Sequence, residues 1–353
     1  KNIPAEYLSP LMANLTQMRE AMFSADCYRT VFIIVIGTAL LVLYRYNKLK
    51  ANVMVVSIAA LCLVDMWMVN KRYLNDAMFV ERSVRDNEPE MSNTDKIILQ
   101  DKSLDYRVLN LASNTFNENE TSYFHKSIGG YHPAKLRRYQ EMIEHYIASE
   151  MQKTMQAIMT AGGDMSKVDG RSIYPILNML NTKYFILPLQ GNQTAPVLNP
   201  YTYGNAWFVD KVTYVNNANE EIDKVGKIDL RHEAVADKQF ETILKASNAQ
   251  GNVSQVELVS YAPNKLKYNV SSEKGGVVVF SEIYYPGWTA TIDGQKAELG
   301  RVNYILRALN VEKGKHTIEL VFDPQSVHTT ETIATVSVGQ PQLTDKPFRL
   351  QFY

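Results

Sequence analysis

The chain has 353 residues, with 37 lysines and arginines against 37 aspartates and glutamates, so its formal net charge at pH 7 is zero. This balance argues against nucleic acid as a partner. The sequence has two cysteines, Cys27 and Cys62, and both lie at or within an apolar run. The polar part of the chain must therefore be stabilised by its core rather than by disulfides.

Two apolar runs, residues 30–44 and 51–69, predict a hairpin of membrane-spanning helices over residues 30–70. A helix needs roughly 17–25 mostly apolar residues to cross the hydrocarbon core. The second run has that length, and the first reaches it if Arg45 snorkels to the interface. A buried helical hairpin of a soluble protein is the alternative, but runs this free of charge, in a chain with 21% charged residues, favour the membrane.

The loop between the two runs, residues 45–50, carries three cations and no acid, so the positive-inside rule places it in the cytoplasm. Residues 1–29, predicted as a juxtamembrane helix, and the chain after about residue 70 are then extracytoplasmic. The chain is expected to lie in the cytoplasmic membrane, in contact with lipid. It begins without a methionine or a signal peptide, and we expect an earlier part to precede it.

Asp65 is a polar residue within the second predicted span. An ionisable group at that depth is costly and indicates either a functional site or a helix contact. Because Asp65 lies only four residues before the end of the run, a partly hydrated carboxylate or a pair with Lys71 or Arg72 is the alternative to a proton relay.

Residues 71–250 predict an extracytoplasmic α/β domain. Strands are expected at 106–111, 183–187 and 206–215, and helices at 133–159, 173–180, 219–225 and 237–244.

Residues 251–325 predict an antiparallel β-sandwich, because short alternating strands are separated by Gly, Pro and Asp-Gly turn signals. The strands are expected at 253–261, 265–270, 277–283, 289–292, 305–310 and 316–322. Residues 326–353 predict an irregular tail that is truncated or altered. The expected fold class is therefore α+β and membrane-anchored: two transmembrane helices, a mixed α/β region and a carboxy-terminal sandwich.

A basic segment around a Gly-Gly turn predicts an anion site. Backbone N–H groups and a helix amino terminus attract phosphate, and flanking cations add to this. Alternatively, the arginines are solvated helix surface and the histidines are core residues. The candidates for contact with a phosphate or a lipid carrier are His125, Lys126, Gly129, Gly130, His132, Lys135 and Arg138.

An aromatic loop between two predicted strands, with Tyr284, Tyr285 and Trp288, is a candidate for contact with carbohydrate, because aromatic faces stack on CH-rich ligands. The alternative for Trp288 is that it closes the bottom of the sandwich core.

No catalytic set is recognisable in the sequence, which lacks Gly-x-Ser-x-Gly, His-Glu-x-x-His, P-loop and Gly-x-Gly-x-x-Gly motifs. No Cys/His spacing suits a metal, and no cofactor is expected in this chain. Carboxylates such as Asp105, Glu141 and Asp293 are too generic to assign as a glycosidase pair. The residues alone therefore assign no catalytic residue.

Several strings together resemble the carboxy-terminal part of the bacterial YfhO-family membrane proteins. They include Tyr-Phe-His-Lys-Ser-Ile-Gly-Gly-Tyr-His and Tyr-Pro-Gly-Trp-Thr-Ala-Thr-Ile-Asp-Gly. The similar strings lie at residues 18–26, 65–74, 121–132, 180–185, 285–294 and 314–324.

The resemblance implies a glycosyltransferase-like protein of the GT-C class. Such proteins take sugar from a polyprenyl-phosphate carrier and add it to an envelope glycan or polymer outside the cytoplasmic membrane of a bacterium. Their catalytic acid lies among earlier spans, so no residue here inherits it, and whether this chain acts as an enzyme stays open. The alternative is a non-catalytic, membrane-anchored envelope protein that binds glycan or a partner protein.

Overall fold

The computed structural model describes residues 5–79, 89–245 and 251–330. The chain forms two compact units, Lys1–Glu88 and Pro89–Tyr353, called here the amino-terminal and carboxy-terminal units.

The amino-terminal unit contains two helices, α1 (Ala5–Arg45) and α2 (Ala51–Tyr73), that are long and apolar enough to cross a membrane. Their apolar side chains are exposed within the unit, as lipid-facing side chains would be. The juxtamembrane segment and the first span form one continuous helix. At 1.5 Å per residue α1 is about 60 Å long, roughly twice the thickness of the hydrocarbon core. Its amino-terminal part therefore extends beyond a single span.

The first half of the carboxy-terminal unit combines short helices with a three-stranded sheet. Strand β1 runs parallel to β2, and β2 runs antiparallel to β3. The helix predicted at 133–159 begins later, at Arg137, and contains a π-helical turn at Ile143–Ile147. The elements are α3 (Asn93–Ile98), β1 (Arg107–Asn110), α4 (Glu120–Phe124), α5 (Arg137–Met142), α6 (Ala148–Thr160), α7 (Gly170–Ile173), α8 (Pro175–Met179), β2 (Thr182–Pro188) and β3 (Thr194–Leu198).

The strand predicted at 206–215 divides at Asp210 into β4 (Ala206–Val209) and β5 (Lys211–Val215). Strand β5 pairs in parallel with β6 (Glu233–Asp237), on either side of α9 (Ala218–Val225). The helix predicted at 237–244 is wrong: Asp237 ends β6, and only a 3₁₀ turn follows. Of the predicted helix, Asp237 alone pairs with β5, opposite Val215.

The second half is the predicted antiparallel sandwich. Its five-stranded sheet has the order β11-β10-β14-β8-β7, and its four-stranded sheet has the order β12-β13-β9-β4. The strands are β7 (Ser254–Ala262), β8 (Lys265–Ser272), β9 (Gly276–Ile283), β10 (Trp288–Ile292), β11 (Gln295–Ala297), β12 (Gly300–Val302), β13 (Leu306–Val311) and β14 (Gly314–Phe322).

Strand β9 is buried on both faces. Val278 and Phe280 pack in the cluster between the two sheets, whereas Val277 and Val279 belong to the larger core shared with the helices. Because β4 also pairs with β9, a sheet and a core both cross the boundary that we predicted near residue 250. The four-stranded sheet is thus a central layer, and charged side chains on it are enclosed from both sides.

Candidate functional site

A cavity of 480 Å³ lies in the carboxy-terminal unit, where the α/β region meets the sandwich. One wall comes from the residues before β1 and from the segment after α4. The other comes from the ends of β7, β9 and β13 and from the aromatic loop before β10. The charged and aromatic side chains of the wall include Asp101, Asp105, Arg107, Lys126, Tyr261, Glu282, Tyr285, Trp288 and Arg307.

Five ionisable residues in this wall form a charge cluster, defined as Asp105, Arg107, Lys126, Glu282 and Arg307. The Lys126 ammonium bridges two carboxylates, with Nζ 3.0 Å from Asp105 Oδ1 and 2.7 Å from Glu282 Oε1. Arg107 Nη2 lies 3.6 Å from the same Glu282 oxygen. Glu282 is therefore held by two cations.

Arg107 joins three parts of the fold. Its Nη1 donates to the carbonyl oxygens of Leu180, at 2.8 Å, and Ser281, at 2.6 Å. Since Arg107 begins β1 and Ser281 lies in β9, this side chain ties the α/β region to the central sheet. Arg107 is 4% exposed, so the contacts of its guanidinium compensate for the hydration that is lost on burial.

The two carboxylates of the charge cluster differ in their pKa values. Burial would raise the pKa of Glu282, but Lys126, Arg107 and Arg307 outweigh it and lower that pKa to about 2. For Asp105, burial prevails and raises the pKa, with Lys126 opposing it and Glu282 adding to it. Glu282 is thus the firmly ionised member of the pair.

Arg307 lies on β13 and is 3% exposed. Its Nε donates to the carbonyl oxygen of Ile283 at 2.9 Å, and its guanidinium carbon lies 3.8 Å from the centroid of the Trp288 ring. Burial lowers the pKa of Arg307 to about 10, so the side chain still carries its charge at neutral pH. The stacking on Trp288 fixes the guanidinium plane in the cavity wall.

Aromatic rings complete the cavity. Lys126 Nζ lies 5.0 Å from the centroid of the Tyr261 ring. The rings of Tyr285 and Trp288 lie 6.1 Å and 5.5 Å from that of Phe322. Trp288 therefore packs on the sandwich core and lines the cavity at the same time. Its contact with carbohydrate stays a prediction.

His125 and Lys126, two of the predicted anion-binding residues, already have partners. His125 is buried, with Nε2 2.8 Å from Asp95 Oδ1, so it ties α4 to α3. Lys126 lines the cavity, with its charge shared between Asp105 and Glu282.

The predicted Gly-Gly turn is shaped by close packing. A Cβ on Gly129 would lie 2.0 Å from the carbonyl oxygen of Thr115, and Gly130 has φ of 107°. Gly129 is therefore required because a Cβ would clash with Thr115, and Gly130 because side chains disfavour its positive φ.

The remaining basic candidates of this segment lie outside the cavity wall as the structure describes it. His132 Nδ1 accepts from the Ala134 amide, and Lys135 Nζ lies 5.0 Å from the centroid of the Phe116 ring. Arg138 donates to Glu221 Oε2 at 3.1 Å. The helix begins only at Arg137, so its amino terminus does not adjoin the Gly-Gly turn. Phosphate contact by this segment stays a prediction.

The three aromatic candidates separate. Tyr285 and Trp288 line the cavity, whereas Tyr284 packs against Phe240 at 6.1 Å between ring centroids and against the Arg301 guanidinium at 5.9 Å. Adjacent residues of an extended segment point in opposite directions, which explains the difference between Tyr284 and Tyr285.

In the amino-terminal unit, Asp65 pairs with Arg29, with Oδ1 3.2 Å from Nε. Arg72 instead contacts Asp26 through two bonds of 2.6 and 2.9 Å, and Arg29 also approaches Asp26 at 3.5 Å. We call these four residues the ion quartet. It links α1 to α2, which fits a helix contact for Asp65.

Sequence reasoning missed the functional potential of Arg107, Tyr261, Glu282 and Arg307, and it set Asp105 aside as generic. The sequence did contain a signal for two of these residues. Glu282 and Arg307 lie within mostly apolar segments that form buried strands. A charge in such a run is costly unless it has a partner. Among the described residues, no group of His, Cys, Asp or Glu is arranged to hold a metal ion.

Residues 221–334 match the family model described as bacterial membrane protein YfhO. The uncharacterized protein YfhO of Bacillus subtilis (strain 168) is 24% identical over 135 residues, which are 36% of this chain and 16% of that relative. No solved structure matches. Together with the two apolar helices, these findings show that part of this chain is similar to the YfhO family of bacterial membrane proteins.

Proposed function

We propose that this chain belongs to a membrane glycosyltransferase-like protein that uses a polyprenyl-phosphate-linked sugar to modify an envelope glycan or polymer. Its carboxy-terminal unit would bind the sugar of the carrier or of the acceptor in the cavity described above. The similarity of residues 221–334 to the YfhO family model supports the general class.

The observation that carries the carbohydrate proposal is the composition of the cavity wall. Tyr261, Tyr285 and Trp288 supply aromatic faces, and the charge cluster supplies polar groups beside them. Carbohydrate has CH-rich faces and hydroxyl groups that both donate and accept, so it matches a wall of this kind. The volume of 480 Å³ is in the range of small-molecule sites.

The roles proposed for these residues are binding roles. Lys126, Asp105 and Glu282 hold one another by ion pairs and present their remaining hydrogen-bonding capacity to hydroxyl groups. No described residue is assigned to the transfer step. The same cavity would serve a non-catalytic glycan-binding protein, and a transfer assay separates that alternative.

The carbohydrate proposal is tested by ligand-observed NMR with the full chain in lipid nanodiscs and a panel of hexoses and envelope glycan fragments. Tyr261→Ala and Tyr285→Ala should each weaken sugar binding about tenfold. Tyr131→Ala is the matched control, since Tyr131 is 56% exposed and lies outside the cavity wall. Equal binding by all three variants, or no binding by the unchanged chain, would contradict the proposal.

The proposed placement of the carboxy-terminal unit outside the cell is tested separately. With Cys27 and Cys62 replaced by serine, a Lys313→Cys thiol should react with a membrane-impermeant reagent in intact cells. A Lys48→Cys thiol, in the basic connection between the helices, should react only after lysis. The opposite pattern would place the carboxy-terminal unit in the cytoplasm, where it would not contact a carrier on the outer side of the membrane.

A further inference from the structure

Arg307 is the one cation of the charge cluster that makes no ion pair among the described residues. Its Nε has the Ile283 carbonyl oxygen as partner, but Nη1 is buried without a hydrogen-bond partner among the described residues. Within the described part of the chain, no carboxylate oxygen forms an ion pair with it. A buried unpaired cation is strongly unfavourable, and a group of this kind indicates a missing partner.

The charges in the cavity wall do not cancel. Three cations, Arg107, Lys126 and Arg307, face the two carboxylates of the charge cluster. A third carboxylate in the wall, Asp101, is already paired with Lys183 at 2.5 Å. The cavity therefore has an excess of at least one positive charge, located at the residue with the unsatisfied donor.

The geometry around Arg307 suits one particular kind of partner. Arg307 lines the cavity, and stacking on Trp288 fixes the plane of its guanidinium there. A guanidinium fork matches the oxygens of a carboxylate or a phosphodiester. Tyr261 and Tyr285 lie in the same wall and offer faces for the uncharged part of such a ligand.

We propose that the cavity binds a sugar carrying one negatively charged oxyanion, either a carboxylate or a phosphodiester, and that Arg307 binds this group. This inference rests on the proposed carbohydrate function. The ligand would supply the acceptor that Arg307 lacks and the negative charge that the wall lacks, while its ring lies against the tyrosines.

The test compares four probes with the full chain in nanodiscs of uncharged lipid: glucose, glucuronate, acetate and dimethyl phosphate. Glucuronate should bind at least tenfold more tightly than glucose. Arg307→Gln should remove this preference. Arg137→Gln is the control, because its 91% exposed side chain pairs with Glu141 outside the cavity wall, and it should leave the preference unchanged.

The outcomes separate the two proposals. Stronger competition by acetate than by dimethyl phosphate identifies a carboxylate as the bound group, and the reverse identifies a phosphodiester. Equal binding of glucose and glucuronate, or a preference for glucuronate that remains in Arg307→Gln, contradicts the proposal that Arg307 binds an oxyanion. Neither result contradicts the proposed carbohydrate function. Binding of the small anions without any sugar supports the anion site and overturns the carbohydrate function.

A second variant covers the case in which Arg307→Gln does not fold. Arg307→Lys keeps the charge but loses the planar fork, so affinity for glucuronate should fall at least fivefold. An unchanged affinity for glucuronate in this variant overturns the proposal.

Discussion

Each unit of this protein contains a group of charged side chains, and the two groups differ in how completely they are paired. In the ion quartet of the hairpin, two arginines face two aspartates, and each arginine has a carboxylate within 3.5 Å. In the charge cluster of the cavity, Glu282 is shared by two cations, and Arg307 forms no ion pair with a carboxylate of the described residues. Equal numbers of cations and carboxylates suit a permanent contact between helices. A surplus cation suits a site that binds an anionic ligand reversibly.

The largest expected effect comes from removing the centre of the charge cluster. Glu282→Ala leaves Lys126 and Arg107 buried without their shared partner and should destabilise the carboxy-terminal unit by about 3–5 kcal/mol. The measurement is urea unfolding followed by near-ultraviolet circular dichroism. Glu319→Ala is the control, because Glu319 pairs with Lys265 and Lys267 on a solvent-facing strand, and its loss should change unfolding little. A similar loss of unfolding free energy in both variants would show that the effect of Glu282→Ala does not come from the burial of its ion pairs.

Glu282 should also make the unit sensitive to acid. Its pKa in the folded state is about 2 against an ordinary value of 4.5. The stability that it contributes is therefore fully present above pH 4.5 and is lost as the pH falls from 4.5 to 2.

Glu150 is expected to show the opposite dependence on pH. Its two carboxylate oxygens each accept from a backbone N–H, of Ile176 and of Leu177, at 3.0 Å. Burial nevertheless raises the pKa of Glu150 to about 8 from an ordinary 4.5. The folded state thus holds the proton more tightly than the unfolded state. Stability from this group is complete below pH 4.5 and is lost as the pH rises through 8, by an amount on the order of a few kcal/mol.

Glu150→Gln should flatten this dependence, because the amide does not titrate. Unfolding midpoints measured from pH 4.5 to 8.5 in the unchanged chain and in this variant give the comparison. An equally steep decline in both would assign the effect to other groups.

In the ion quartet, Arg29→Gln should weaken the pairing of α1 with α2, since Asp65 then lacks its partner in an apolar region. The expected coupling between Arg29→Gln and Asp65→Asn is about 1 kcal/mol, in the range of interhelical polar contacts. A double-mutant cycle in a detergent unfolding assay measures it. Additive effects of the two changes would show that the observed pair does not stabilise the hairpin.

The smallest expected effect is also the most informative about the surplus cation. Arg307→Met should change the stability of the carboxy-terminal unit by no more than about 1 kcal/mol, because removal of an uncompensated buried charge offsets the lost Ile283 bond. Arg107→Met is the matched comparison and should destabilise by about 3 kcal/mol or more, since it breaks two carbonyl bonds and an ion pair. If Arg307→Met were as costly as Arg107→Met, Arg307 would be a structural residue.

Much of the local structure was predictable, because it depends on neighbouring residues. The alternation of Leu266, Tyr268 and Val270 on β8, and of Ile318 and Leu320 on β14, marks strands with one face in a core. The division of the predicted 206–215 strand at Asp210 was not predictable. It follows from the pairing of β4 with β9 and of β5 with β6, both of which lie later in the sequence.

The candidate site was predicted only in part, for the same reason. Lys126, Tyr285 and Trp288 do line one cavity, but Tyr284 and Arg138 pack elsewhere. The composition of the segment around the Gly-Gly turn indicated cations, yet it contained no information on which acids would face them.

By itself the sequence determined the two apolar helices, the sandwich strands and the presence of charges inside apolar runs. These properties arise from hydrophobicity and periodicity within a few residues. Only the tertiary structure decided that Lys126 meets Glu282 across 156 positions and that Arg29 meets Asp65. It also decided that Arg307 Nη1 is buried without a hydrogen-bond partner in the described part of the chain. Charge pairing depends on which surfaces become buried against each other, and burial is a property of the whole packed unit.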